Sequence, residues 1–139
     1  MAASTNIFSE AIEPVAFTGI ATGACTDYDT PTNMVDVVAI ADNVNGMELD
    51  KVYAMTRGTI TTAVVQLYKR VGSTYTLINT ADYAAVTPSA TVKPTLVDFL
   101  YSEFAKLRLH PGEGLAFGCS IAVADGVVCR AQGKAFKAA

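Results

Sequence analysis

The stretch Leu115-Ala-Phe-Gly-Cys-Ser-Ile-Ala-Val123 places Leu115, Phe117, Cys119, Ile121 and Val123 at every second position, with Ala116, Gly118, Ser120 and Ala122 between them. A period of two marks a strand, whose successive side chains point to opposite faces. One face is therefore core, and the small-residue face can lie against another surface. Asp125-Gly126 follows. This dipeptide suits a two-residue type I′ turn, in which both central residues need positive φ, so a hairpin is expected, with its second strand running back from Val127. In that strand Val127, Cys129 and Ala131 face one way, and Val128, Arg130, Gln132 and Lys134 face the mostly polar side.

The same pattern extends upstream. Val64–Val71 alternates Val65, Leu67 and Val71 with Gln66, Tyr68 and Arg70, and Gly72-Ser73 turns the chain into Thr74–Asn79, which predicts a second hairpin. Asn45-Gly46 signals a turn between the apolar run Met34–Ala41 and the segment Glu48–Arg57. In that segment Leu49 and Val52 would fall on opposite faces of a regular strand, so a bulge is expected there. Leu107 and Leu109 alternate with Lys106, Arg108 and His110 before Pro111-Gly112, a strand ended by a turn. Val97–Leu107 has some helical spacing, but its Phe, Tyr and Val content reads as strand. Eight or nine strands at intervals of roughly 8–14 residues define an all-β protein, an antiparallel β-sandwich or jelly roll of about eight strands. The expected core includes Val65, Leu67, Leu107, Leu109, Phe117, Ile121 and Val127. Residues 13–136 form the single domain, 1–12 an N-terminal arm and 137–139 a tail. Gly133–Ala139 has no clear pattern and reads as arm-like, and Ile7, Phe8 and Phe136 are the apolar residues that such arms would fold onto a neighbour.

The chain has 139 residues, of which 51% are hydrophobic and 17% charged, with 10 Lys+Arg against 13 Asp+Glu and a net charge of −3. This is a globular composition with little surface charge. Without a run of Lys and Arg to neutralise phosphates, a nucleic-acid partner is not expected. Mean hydropathy is positive, +0.33, yet the longest uncharged stretch, Pro14–Thr26, is interrupted by Thr and Gly and falls short of the roughly 20 apolar residues of a spanning helix. No membrane association is expected. The N-terminal segment has neither a basic region nor an apolar run of the kind that directs secretion. Three cysteines, Cys25, Cys119 and Cys129, fit a protein made in a reducing cytoplasm.

Reactive chemistry finds few residues. Nucleophilic hydrolysis needs a Ser or Cys beside a base, and the single histidine, His110, stands before Pro111 at a strand end. Cys119 lies in the apolar stripe of its strand, where a thiol is neutral and inert. Asp42-Asn43-Val44-Asn45-Gly46 and Asp27-Tyr28-Asp29 offer oxygen ligands, but the first has Val52 where a calcium loop needs Glu, and Asx residues form turns for local reasons. Gly112-Glu113-Gly114 is too short for a phosphate loop. No enzyme activity, metal or cofactor is expected. Among the aromatics, Tyr75 is expected in the core, and Tyr68 and Tyr101 would be the first candidates for a sugar-stacking cluster.

From about Leu49 to Phe136 the chain resembles small virion proteins of tailed bacteriophages, of the capsid decoration or cement type. The resemblance rests on Lys51-Val-Tyr-Ala-Met-Thr-Arg-Gly58, on Val64-Val-Gln-Leu-Tyr68 with the Gly72-Ser73 turn, on Leu107-Arg-Leu-His-Pro-Gly-Glu-Gly-Leu115, and on the alternating final pair of strands. It implies a structural protein on the outside of the capsid, made in the host bacterial cytoplasm, without catalytic residues and with the major capsid protein as partner. At threefold or quasi-threefold positions such a protein would be a homo-oligomer, with a trimer favoured. The alternative is a carbohydrate- or receptor-binding module of a head fibre or tail.

Overall fold

Alternating apolar residues and Gly-, Pro- and Asx-rich turns fold into nine strands over residues 12–137, the part of the chain that the computed structural model describes. They are β1 (Ile12–Ala21), β2 (Val35–Val38), β3 (Met47–Thr56), β4 (Ala63–Val71), β5 (Thr74–Tyr83), β6 (Leu96–Asp98), β7 (Leu107–Leu109), β8 (Gly114–Cys119) and β9 (Val127–Phe136), with a 3-10 turn at Ile40–Asp42. One sheet has the order β1-β9-β3-β6, with β7 also paired to β3; the other has the order β2-β8-β4-β5. All of these strand pairings are antiparallel. The protein is all-β, and its two sheets enclose one apolar core in a sandwich arrangement. Val65, Leu67, Leu107, Leu109, Phe117 and Val127 are buried in that core as expected, with Ile121 half-buried against it. No helix among the described residues is long and apolar enough to cross a membrane.

The β4–β5 hairpin forms around Gly72-Ser73, with Val71 opposite Thr74. The irregularity expected between Leu49 and Val52 is a bulge in the β3–β9 ladder: Leu49 faces Gly133 and Lys51 faces Gln132, so Asp50 is the extra residue. The bulge returns Met47, Leu49, Val52 and Ala54 to the same buried side despite their broken alternation. Opposite it only glycine fits, because a Cβ on Gly133 would lie 2.0 Å from the Glu48 carbonyl oxygen.

Three expectations are corrected. First, Asp125-Gly126 does not join a hairpin: β8 pairs with β2 and β4, whereas β9 pairs with β1 and β3 in the other sheet. The chain leaves its sheet at Ser120, where the Ser120 N–H donates to the Val64 carbonyl. Val123 N–H then donates to Thr22, and Gly126 N–H closes a tight turn onto Val123 before the chain enters the opposite sheet. Of the two residues expected at positive φ only Gly126 has it, +88°, and that angle serves a crossing between sheets. Second, Val97–Leu107 is not one strand. β6 and β7 pair with two separate stretches of β3, and between them Phe99–Lys106 loops out. The break is set at Leu100, whose φ is +69° and whose N–H donates to Asp98 Oδ1. Buried Phe99 anchors the loop edge-on against Phe117, with ring centroids 6.4 Å apart. Third, Gly133–Phe136 is not an arm. It completes β9, where Ile12 pairs with Phe136 and the Phe136 N–H donates to the Gly46 carbonyl. This segment has little apolar pattern because ladders on both sides hold it in place.

Candidate functional site

The residues that chemistry drew attention to are dispersed. His110 is exposed on a turn that Asn43 clamps: buried Asn43 donates through Nδ2 to the carbonyls of His110, at 2.7 Å, and Glu113, at 2.8 Å. The His110 N–H donates to Glu113 Oε1, which holds the same turn. Cys119 is buried in the core, where loss of water pushes its thiol pKa up, and Cys129 is shifted the same way for the same reason. Asp27 makes a local turn: Oδ1 accepts from the N–H groups of Asp29 and Thr30, and Oδ2 from the Thr30 hydroxyl. Those backbone donors, Asp29 first, hold its carboxyl below the ordinary carboxylate range. Asp42 sits in the 3-10 turn and Asn45 is exposed. Among the described residues, no three His, Cys, Asp or Glu side chains gather as a metal site.

The expected sugar-stacking pair is corrected. Tyr68 is fully buried and offers no ring face, and Tyr101 is half-buried against the core. Tyr68 lies on the outer side of the β8–β4 sheet with Ala116 and Cys25, and Met34, Tyr75 and Leu77 close over them. Tyr75, expected in the core, belongs to this second cluster, half-buried beneath Arg70. A polar network fixes the cover: Tyr68 OH donates to Gln66 Oε1 at 2.5 Å, Gln66 Nε2 donates to the Cys25 carbonyl at 3.1 Å, and the Cys25 N–H donates to Cys119. The small residues of β8 are thus explained within the chain, since a Cβ on Gly118 would already meet Cys25 at 3.1 Å. Ile7 and Phe8 lie outside the described residues. Phe136 is half-buried at the end of β9 with the Arg108 guanidinium over its ring, so it does not belong to a free arm.

Two surface features were not expected. The Phe99–Lys106 loop at the open edge of the β3 sheet carries Leu100, 83% exposed, and Phe104, 98% exposed. Read as a strand, this segment hides its outermost side chains; the one sequence signal is the polar, turn-forming pair Ser102-Glu103 between them. The second feature is a division of charge. Lys69, Arg70, Lys106, Arg108 and Lys137 all make ion pairs. The other cations, Lys51, Arg57, Lys93, Arg130 and Lys134, are all exposed, have no ion-pair partner among the described residues, and lie on or beside the outer face of the β1-β9-β3 sheet. They are spread from position 51 to position 134, and on paper the outward phase of β3 and β9 accounts only for Lys51, Arg130 and Lys134.

No family model matches the chain, and a search of curated proteins returns no match.

Proposed function

We propose that the chain is a structural virion protein, a decoration or cement protein that binds the outside of a tailed-phage head, contacts the major capsid protein and stabilises the shell by bridging capsomers. In this reading the sandwich is a jelly roll and the protein acts as a homo-oligomer, a trimer at threefold positions. The observation that carries the reading is the pair Leu100 and Phe104, which an anchored edge loop holds almost wholly in solvent. Large apolar side chains at a loop tip lose little by ordering and gain most when a partner pocket removes them from water. Together with the resemblance over Leu49–Phe136, this supports a protein whose work is contact. A sugar-binding module is less well supported, because it would need an open aromatic platform where Tyr68 is covered.

The test is cryo-electron microscopy of shells incubated with the intact protein and with a Leu100→Ser, Phe104→Ser variant. The expected outcome is density distributed over the capsid exterior with the intact chain and its loss with the variant, while both proteins remain folded. Density confined to the tail or to sparse spikes would refute the decoration reading and favour receptor binding.

A further inference from the structure

The outer face of the β1-β9-β3 sheet contains a depression of about 230 Å³, lined by Tyr53, Met55, Thr56, Arg57, Val128 and Arg130. Met55 and Val128 are directly paired across the β3–β9 ladder, as are Tyr53 and Arg130. The apolar floor therefore has a guanidinium at Arg57 and another at Arg130, neither with an ion-pair partner among the described residues. On the opposite broad side of the molecule, the loop that covers Tyr68 projects Asp27-Tyr28-Asp29. All three residues are exposed, and Tyr28, at 48%, has large apolar area in solvent. The Asp27 turn hydrogen bonds fix that projection in advance, which lowers the ordering cost of using it as a ligand.

We infer that these two features recognise each other between copies of this chain: Tyr28 of one copy enters the depression of the next, and its flanking Asp27 and Asp29 meet Arg57 and Arg130. Arginine forks suit carboxylates, and an aromatic ring between two anions matches an apolar floor between two cations. Beyond these residues each surface is weighted toward the same sign, with Arg70 on the Tyr28 side neutralised by Asp36. Lys51, Lys93 and Lys134 extend the basic face, whose acids are Asp50, Asp98, Asp125 beside Gly58, and Glu48, the last ion-paired with Lys106 and Arg108, while Asp82 points outward from β5 on the Tyr28 side. Because projection and depression lie on opposite sides of the sandwich, one copy cannot close the contact on itself, and a twofold axis cannot satisfy both at once. The contact is head-to-tail, giving a ring if the rotation closes and a chain if it does not. A contact of this size is reversible and salt-sensitive. It stands on shape and charge alone and needs no capsid.

Sedimentation velocity on the full chain, from dilute into millimolar protein at low salt, tests it. The wild type should associate reversibly, and raising salt to about 1 M, where screening acts within about 3 Å, should reverse the association. Tyr28→Ala and Arg130→Glu should each weaken association by about tenfold or more, a loss of about 1.4 kcal/mol. Both sites are exposed, and far-UV circular dichroism checks that the variants fold. An equimolar mixture of the two variants retains one intact projection and one intact depression, so it should form one-to-one pairs that grow no further. A wild type that stays monomeric overturns the inference, as does association that Tyr28→Ala leaves unchanged, or variants whose mixture stays monomeric. Failure to bind shells would leave this result intact, and shell binding without self-association would overturn it alone.

Discussion

On the four-stranded sheet the outward residues Gln66, Tyr68 and Ala116 are buried beneath a loop, whereas on the five-stranded sheet the outward residues Lys51, Arg130 and Lys134 meet solvent and Tyr53 is only half-covered. Both sheets obey the same period of two, so alternation alone does not say which outer face is wet. The difference comes from side-chain size. Ala116 and Gly118 leave a shallow floor on which the backbone at Ala24 and Cys25 lies within hydrogen-bonding distance of Cys119, while β3 and β9 carry long charged side chains that hold any loop away. A strand that is small on its second face is a site for further chain.

The largest expected effect tests that covered face. Tyr68→Ala removes a fully buried ring and leaves Gln66 Oε1 without its donor. Denaturant unfolding should show a loss of about 3–5 kcal/mol, as for other buried aromatics. A loss below about 1 kcal/mol would mean that the loop over Tyr68 opens freely in solution and that the two outer faces are alike.

The comparison also separates what was legible in the residues from what was not. The β4–β5 hairpin could be read because Gly72-Ser73 joins strands that pair with each other, and the Asp50 bulge could be read because Leu49 and Val52 cannot share one face without it. Asp125-Gly126 misled because its turn chemistry is local, whereas the choice of sheet for β8 and β9 depends on β1, β2, β3 and β4, which are far away in sequence. Tyr68 misled for the same reason: its cover is a loop more than one strand distant. Gly133–Phe136 was unreadable because its neighbours hold it in place, with little apolar pattern of its own. The gathering of unpaired cations is likewise a product of sheet order, which no spacing along the chain encodes.

A second, smaller effect concerns alkali. Burial raises the pKa of Tyr68, with its hydrogen bond to Cys25 adding to the shift, and burial also raises Tyr83, Cys119 and Cys129. Each folded pKa lies above its unfolded value, so the folded state keeps protons that the unfolded chain releases. The stability these groups contribute is fully present below about pH 8.5, where an unfolded thiol begins to ionise, and declines as pH rises through the unfolded tyrosine value near 10. Stability measured from pH 7.5 to 11 should be flat at first and then fall, by up to about 1.4 kcal/mol per pH unit for the deeply buried Cys129. Cys129→Ala should flatten the first part of the fall and Tyr68→Phe the later part. A flat profile to pH 11 would show that these groups reach water.

The smallest effect belongs to the open face. Lys51 lies over the Tyr53 ring, with its ammonium 5.5 Å from the centroid, and Arg130 is paired across the ladder with that same tyrosine. An exposed cation over a ring contributes about 0.5–1 kcal/mol, and surface substitutions outside special features usually stay within about 0.5 kcal/mol. Lys51→Ala should therefore cost about 0.5 kcal/mol, and Arg130→Ala no more, both far below Tyr68→Ala in the same denaturant assay. The ion-paired Arg70, whose guanidinium is 2.6 Å from Asp36 and also lies over Tyr75, is the useful control on the covered side. It is solvent-facing too, so Arg70→Ala should cost about 1 kcal/mol or less. If Arg130→Ala instead cost several kcal/mol, the basic face would already be part of the folded core's support. Its cations would then be structural, and their freedom to meet a second copy would be lost.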